Sequence, residues 1–174
     1  MQHPRMVFLK GNHEEMFVER LGTTWYHYDF DSTKSDFDTL TEEQKQETIR
    51  FIDDAPYCAV VGKFILVHAG IDTSIPFEDV YSFLESQDPE FVTWAREQFY
   101  LEKGISGYTI IFGHTVTSEL DSSSKGRIWH GKDKIGIDCG CPFYGVLGCL
   151  CLDDMSEYYV YDKYTKIKEE ERIL

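Results

Sequence analysis

Met6-Val7-Phe8-Leu9-Lys10-Gly11-Asn12-His13-Glu14 is the stretch on which the reading of this chain turns. Its four leading apolar residues predict a short buried strand. Phe17 and Leu21, spaced i, i+4, predict a helix that begins just past Gly11. Glycine at a strand exit lets the backbone turn sharply and approach a ligand closely. Asn12 and His13 then fall where strand gives way to helix, the place where open α/β sheets carry their working groups. An ordinary helix entry accounts for the same letters, because asparagine is a favoured N-cap. The rest of the chain decides between the two.

Beyond the first helix, Gly22 to Asp38 reads as a loop or lid-like excursion, with Trp25, Tyr26, Tyr28 and Phe30 as packing aromatics. Thr41-Glu42-Glu43-Gln44 is a capping box for a helix to about Asp54, ended by Pro56, with Ile49 and Ile52 facing the core. Tyr57–Val61 and Phe64–His68 flank Gly62-Lys63 as a hairpin. The second strand is apolar throughout, which predicts burial on both faces, and it ends in His68-Ala69-Gly70. Val80, Phe83 and Leu84 predict a short helix. Asp88-Pro89 opens a longer one, with Phe91, Val92, Ala95 and Phe99 on one side and Arg96 along it. Tyr108–Phe112 is a further buried strand, and it ends in Gly113-His114-Thr115. From Arg127 the pattern is a β meander: Ile128–His130, Lys134–Asp138, Gly145–Leu152 and Glu157–Asp162. A charged tail from Lys163 should fray. No repeat or linker divides the chain, so residues 1–174 read as one domain.

Composition narrows the partners. Hydrophobic residues make up 42% and aromatics 15%, as in a globular protein. Seventeen basic against 31 acidic residues leave a net charge of −14, which argues against nucleic-acid and anionic-membrane partners. An anionic substrate would have to be drawn in locally, by metal ions or a placed arginine. There is no span-length apolar stretch and no signal-peptide pattern, so the expected location is cytoplasmic. Cys58, Cys139, Cys141, Cys149 and Cys151 are odd in number and read as reduced thiols. Their two Cys-x-Cys pairs are tighter than the usual zinc knuckle.

Three strands thus end in a Gly-containing turn that carries a potential ligand: Asn12 with His13, His68, and His114. A lone histidine at a strand end is more often bonded to a carbonyl than to a metal. Three in one topological position are different, because parallel or mixed sheets bring such ends to one rim. Imidazole suits Zn, Fe and Mn, and an amide oxygen suits harder divalent ions.

In that order, Gly11-Asn12-His13-Glu14, Val67-His68-Ala69-Gly70 and Gly113-His114-Thr115 resemble the second half of a metallophosphoesterase of the serine/threonine protein phosphatase type. Trp94-Ala95-Arg96-Glu97 resembles the family's Trp-x-Arg-Glu segment. Ile137-Asp138-Cys139-Gly140 and Leu150-Cys151-Leu152-Asp153 resemble its closing strands. The likeness runs from about Val7 to Asp153 and is nearest to the small bacterial and phage-like members. It implies an α/β fold, a β-sandwich flanked by helices. It also implies that Asn12, His68 and His114 are protein ligands of the second of two metals, drawn from Mn, Fe or Zn. His13 matches the general acid and Arg96 the phosphate-gripping arginine. In the family, a hydroxide shared by the two metals attacks phosphorus in line.

The family's Gly-Asp-x-His-Gly and Gly-Asp-x-x-Asp-Arg-Gly motifs do not occur here. They supply the first metal's ligands, the bridging Asp, a second phosphate arginine and the Asp that orients the catalytic histidine. The expectation is therefore an N-terminally incomplete domain lacking the first strand-helix units. It would bind at most one metal and be weak or inactive alone. Asp29, Asp31 and Asp36 fall in the expected loop and are poorly placed as substitutes. The substrate expected of the parent activity is a phosphorylated protein or small phosphoester. The alternatives are a noncatalytic remnant that binds metal or a partner, and a dinucleoside polyphosphate hydrolase. A sheet edge left uncovered by the missing units would favour self-association.

Overall fold

Gly11 caps α1 (Asn12–Arg20) in extended backbone, and its N–H donates to the Glu14 carboxylate at 2.9 Å. The computed structural model describes residues 6–21 and 31–162. The aromatics expected to pack between Gly22 and Phe30, and the charged tail from Lys163, lie outside the described residues. Two expectations near the start are corrected. Met6–Leu9 forms no strand: Val7 is 63% exposed, and Lys10 N–H makes the segment's one backbone bond among the described residues, 2.9 Å to the Pro56 carbonyl. Without a ladder partner, an apolar run alone does not make a strand. Also, part of the expected excursion is helical, α2 (Asp31–Asp38), and Phe37 packs edge-on to Phe17 at 5.1 Å.

The capping box is present. Thr41 Oγ1 accepts from Gln44 N–H and the Gln44 amide oxygen accepts from Thr41 N–H, opening α3 (Glu42–Asp53) with Ile52 buried. The hairpin follows as β1 (Cys58–Val61) and β2 (Phe64–Val67), antiparallel around Gly62 at φ +58°, a backbone that side-chain-bearing residues rarely adopt. Next come α4 (Val80–Glu85) and α5 (Pro89–Trp94), each capped by an aspartate, Asp79 and Asp88. The longer helix expected through Phe99 is broken. Ala95 leaves helical geometry, and the chain restarts as α6 (Glu97–Tyr100), with Arg96 at its N-cap. The apolar spacing survives the break, since Val92, Ala95 and Phe99 are all buried.

β3 (Thr109–Phe112) runs parallel to β2, and α7 (Thr117–Leu120) follows it. β4 (Trp129–His130) and β5 (Lys134–Gly136) are antiparallel to each other, but β5 also lies parallel to β3. The sheet order is β1-β2-β3-β5-β4. After α8 (Cys141–Tyr144), β6 (Val146–Leu150) and β7 (Glu157–Tyr161) pair, among the described residues, only with each other. The expected meander is therefore divided between two sheets.

Strand alternation sorts the core into two layers. Ile65, Val67, Ile110 and Phe112 meet Val80, Phe83, Val92 and Phe99 on the helical side. Phe64, Ile111 and Ile135 meet Val146 and the partly buried Tyr159 and Tyr161 of the small sheet on the other. The result is a mixed α/β architecture, a multi-strand sheet flanked by helices with a second sheet against it, as the sequence led us to expect.

Glu15 ties α1 to this body. Its carboxylate accepts from the Tyr57 hydroxyl at 2.6 Å and from Thr93 Oγ1 at 3.1 Å, joining α1, the hairpin and α5. Glu15→Ala should lower stability by about 1–3 kcal/mol in urea unfolding, because it strips the part-buried Tyr57 hydroxyl of its partner, while Thr93 Oγ1 keeps the Pro89 carbonyl at 2.8 Å. A loss below about 0.5 kcal/mol, the scale of ordinary surface changes, would mean that the tie is dispensable.

Candidate functional site

Parallel pairing carries the C-terminal ends of β2, β3 and β5 to one rim. The ladder continues past the strands: Gly113 N–H donates to the His68 carbonyl and Ile137 N–H to the Phe112 carbonyl, both at 2.8 Å. His68, His114 and Asp138 therefore follow the ends of three adjacent strands. The start of α1 meets them from the side, with Asn12 Oδ1 2.9 Å from His68 Nε2. Asn12 is buried, and it is the first helical residue; Gly11, not asparagine, is the cap. Glycine is needed there for contact as well. A Cβ on Gly11 would stand 2.6 Å from His68 Nδ1, so the imidazole lies directly against bare backbone.

The His68 and His114 rings are 5.1 Å apart between centroids, and the Trp94 indole meets His114 edge-on at 5.8 Å. His114 has φ +62°, a left-handed conformation that costs a residue bearing a Cβ roughly 1–2 kcal/mol. Its Nε2 is buried and has no hydrogen-bond partner, and the same is true of the neighbouring Thr115 Oγ1. Such orphans are rare enough in folded proteins to need a reason.

Electrostatics favours neutral rings. Burial lowers the His68 pKa, opposed by the charges of Glu14, Asp138 and Glu15 and assisted by that of His13. Burial, then the charges of His68, Arg96 and His13, pushes His114 down to about 4. Neutral imidazole is the form that ligates a metal. The same influences place His13 and Arg96 within electrostatic reach of the paired rings. His13 is exposed at the start of α1. Arg96 does not lie along a helix as expected; it sits in the break between α5 and α6, its Nη1 3.4 Å from Glu119 Oε2 with both side chains about half exposed. A pair in that setting is weak and exchangeable.

The residue set fits one divalent cation: an amide oxygen already beside an imidazole nitrogen, and a second buried imidazole nitrogen with nothing bound to it. Among the described residues no group of three His, Cys, Asp or Glu could hold a metal, so the set depends on Asn12 as its third donor. The cysteines are all free, with Cys139 buried and Cys141 and Cys149 exposed. Sequence reasoning gave no role to Asp138 or Glu119. Asp138 could have been found, since it follows the end of its strand as His68 and His114 follow theirs. Glu119 had no local signal.

No family model matches this chain, and no curated protein matches it. It is similar to the crystal structure of a proposed diadenosine tetraphosphatase, with 14% identity and a TM-score of 0.57, covering 89% of this chain and 68% of that one. Likeness at that identity speaks for a shared fold.

Proposed function

We propose that this chain carries the chemistry of metal-dependent phosphoester hydrolysis, with Asn12, His68 and His114 holding a divalent cation of the Mn, Fe or Zn kind. The observation that carries this reading is the unpartnered, buried Nε2 of His114 beside the His68–Asn12 pair. A cation held there supplies Lewis acidity at a phosphoryl oxygen and positive charge in a chain of net charge −14. Arg96 leaves Glu119 and binds two phosphoryl oxygens through its planar fork of donors. As a water oxygen bonds to phosphorus and the bond to the leaving group breaks, His13, exposed at the start of α1, donates its proton to the departing alkoxide oxygen. Trp94 covers one edge of His114 and limits water there. Among the described residues no group of three His, Cys, Asp or Glu offers a place for a second cation, in line with weak activity for this chain alone.

The serine/threonine phosphatase resemblance favours a phosphorylated protein or small phosphoester. The fold likeness to a proposed diadenosine tetraphosphatase is compatible with a dinucleoside polyphosphate as well. The two readings use the same residues and differ in the leaving group, an alkoxide or a phosphate.

Leaving groups also provide the test. With Mn²⁺ present, His13→Gln should reduce turnover of a phosphoserine peptide by about 100-fold or more, because a serine alkoxide needs a proton. Turnover of p-nitrophenyl phosphate, whose phenolate leaves unaided, should fall far less. Equal losses on both substrates, or turnover indifferent to metal, would contradict the assignment of His13. Stoichiometric metal binding without turnover of any phosphoester would transfer the reading to a noncatalytic metal-binding module.

A further inference from the structure

We propose that the outer edge of β1 is a docking site for an extended basic segment of another protein, which adds a strand to the sheet and seats apolar side chains in the cleft beside it. β1 ends the five-stranded sheet. Among the described residues, Cys58–Val61 make no backbone hydrogen bond beyond the ladder to β2. A cleft of about 400 Å³ runs along this strand, walled by residues 57–60 on one side and by Tyr81, Leu84, Glu85 and Val92 on the other. Successive side chains of a strand point to opposite faces, so a wall to which all four consecutive residues contribute follows the backbone edge. Tyr81 is 67% exposed and Val61 51%, which leaves apolar surface at both ends. Open peptide groups beside an apolar trough are what strand addition uses: the main chain supplies the affinity and alternate side chains the selectivity.

Charge selects the occupant. Glu85 is the charged residue in the cleft wall. At the Tyr57 end, burial and the Glu15 hydrogen bond raise the Tyr57 hydroxyl to about 12, and the charges of Glu15, Asp53 and Glu19 add to the rise. The cation opposing them is Lys10, whose ammonium lies 5.0 Å from the Tyr57 ring centroid and donates to the Asp53 carbonyl. The Tyr57 end and the cleft wall are therefore negative, Lys63 stands at the hairpin end over the Phe64 ring, and the chain's charge of −14 repels a second copy of itself. The segment that fits has two or three apolar residues in alternation, flanked by Lys or Arg. This inference stands apart from the phosphoester reading and needs no activity to test.

Selection of phage-displayed random octapeptides against the full chain tests it. Enriched sequences should alternate apolar residues with Lys or Arg, and a synthetic copy should shift the amide resonances of residues 57–61 and 81–92. Tyr81→Ser, which removes an apolar seat, and Glu85→Lys, which reverses the charge in the wall, are both at exposed positions and should each weaken that peptide about tenfold. The proposal is overturned by no enrichment, by acidic or uncharged winners, by resonances shifting elsewhere, or by affinity unchanged in both variants. Shifts of the same amides on raising the concentration of the chain alone would give the edge to a second copy and overturn it equally.

Discussion

His68→Ala and His114→Ala should each abolish stoichiometric binding of Mn²⁺ or Zn²⁺ in a calorimetric titration where the unaltered chain binds one ion. Affinity should fall at least about 100-fold, since even partners one shell removed from a metal cost about 10–100-fold. The geometry makes the loss steep. The candidate donors are three, and Asn12 Oδ1 already sits 2.9 Å from His68 Nε2, so removing His68 leaves one amide oxygen and one ring as the remaining donors. Removing His114 deletes the buried nitrogen that has no other partner. His130→Ala is the control: its ring pairs with Glu157 on the far sheet and is half exposed, so the titration should be unchanged. If both rim variants still bound one ion with undiminished affinity, the donor set would lie elsewhere.

Phe99→Ala should destabilise the chain by about 3–5 kcal/mol, the range for an aromatic lost from a closed core. Phe99 is 1% exposed and is held on three sides. Its ring packs edge-on to Phe112 at 5.1 Å, and the Lys134 ammonium lies 5.1 Å from its centroid. On the third side is the bare backbone of Gly70, where a Cβ would fall 2.5 Å from the ring. Lys134 is itself buried and donates to the Glu102 carbonyl at 2.6 Å. Truncation therefore opens a void beside a buried ammonium and beneath the turn that follows His68. Thermal unfolding should shift down by about 6–20 °C, taking about 2–4 °C per kcal/mol for a chain of this size. A shift of less than about 2 °C would show that the cavity collapses without cost.

What could be read from the sequence was whatever local pattern determines. The Thr41–Gln44 box, the Gly62 turn and the Asp88 cap of α5 need only near neighbours, and each formed as read. Of the rim, His68 and His114 came together because each follows the end of a parallel strand, whereas Asn12 reaches His68 from the start of α1 with no strand before it. The misreadings have one cause, the partner. Met6–Leu9 is apolar enough for a strand but has no neighbouring ladder among the described residues. β5 looked like one turn of a meander, yet it lies parallel to β3, and β6 with β7 forms a separate sheet. The break at Ala95 was hidden because α6 restarts with Phe99 still on the buried side, so the apolar period passes through unchanged.

His114 is a position at which folding and chemistry ask for different residues. Its φ of +62° suits glycine, and a glycine there would relieve the backbone while deleting the ring. The chain instead spends conformational energy to keep an imidazole on the rim, so selection for stability alone would drive this position away from the donor we propose. Any programme that hardens the fold by relaxing left-handed residues should leave 114 untouched.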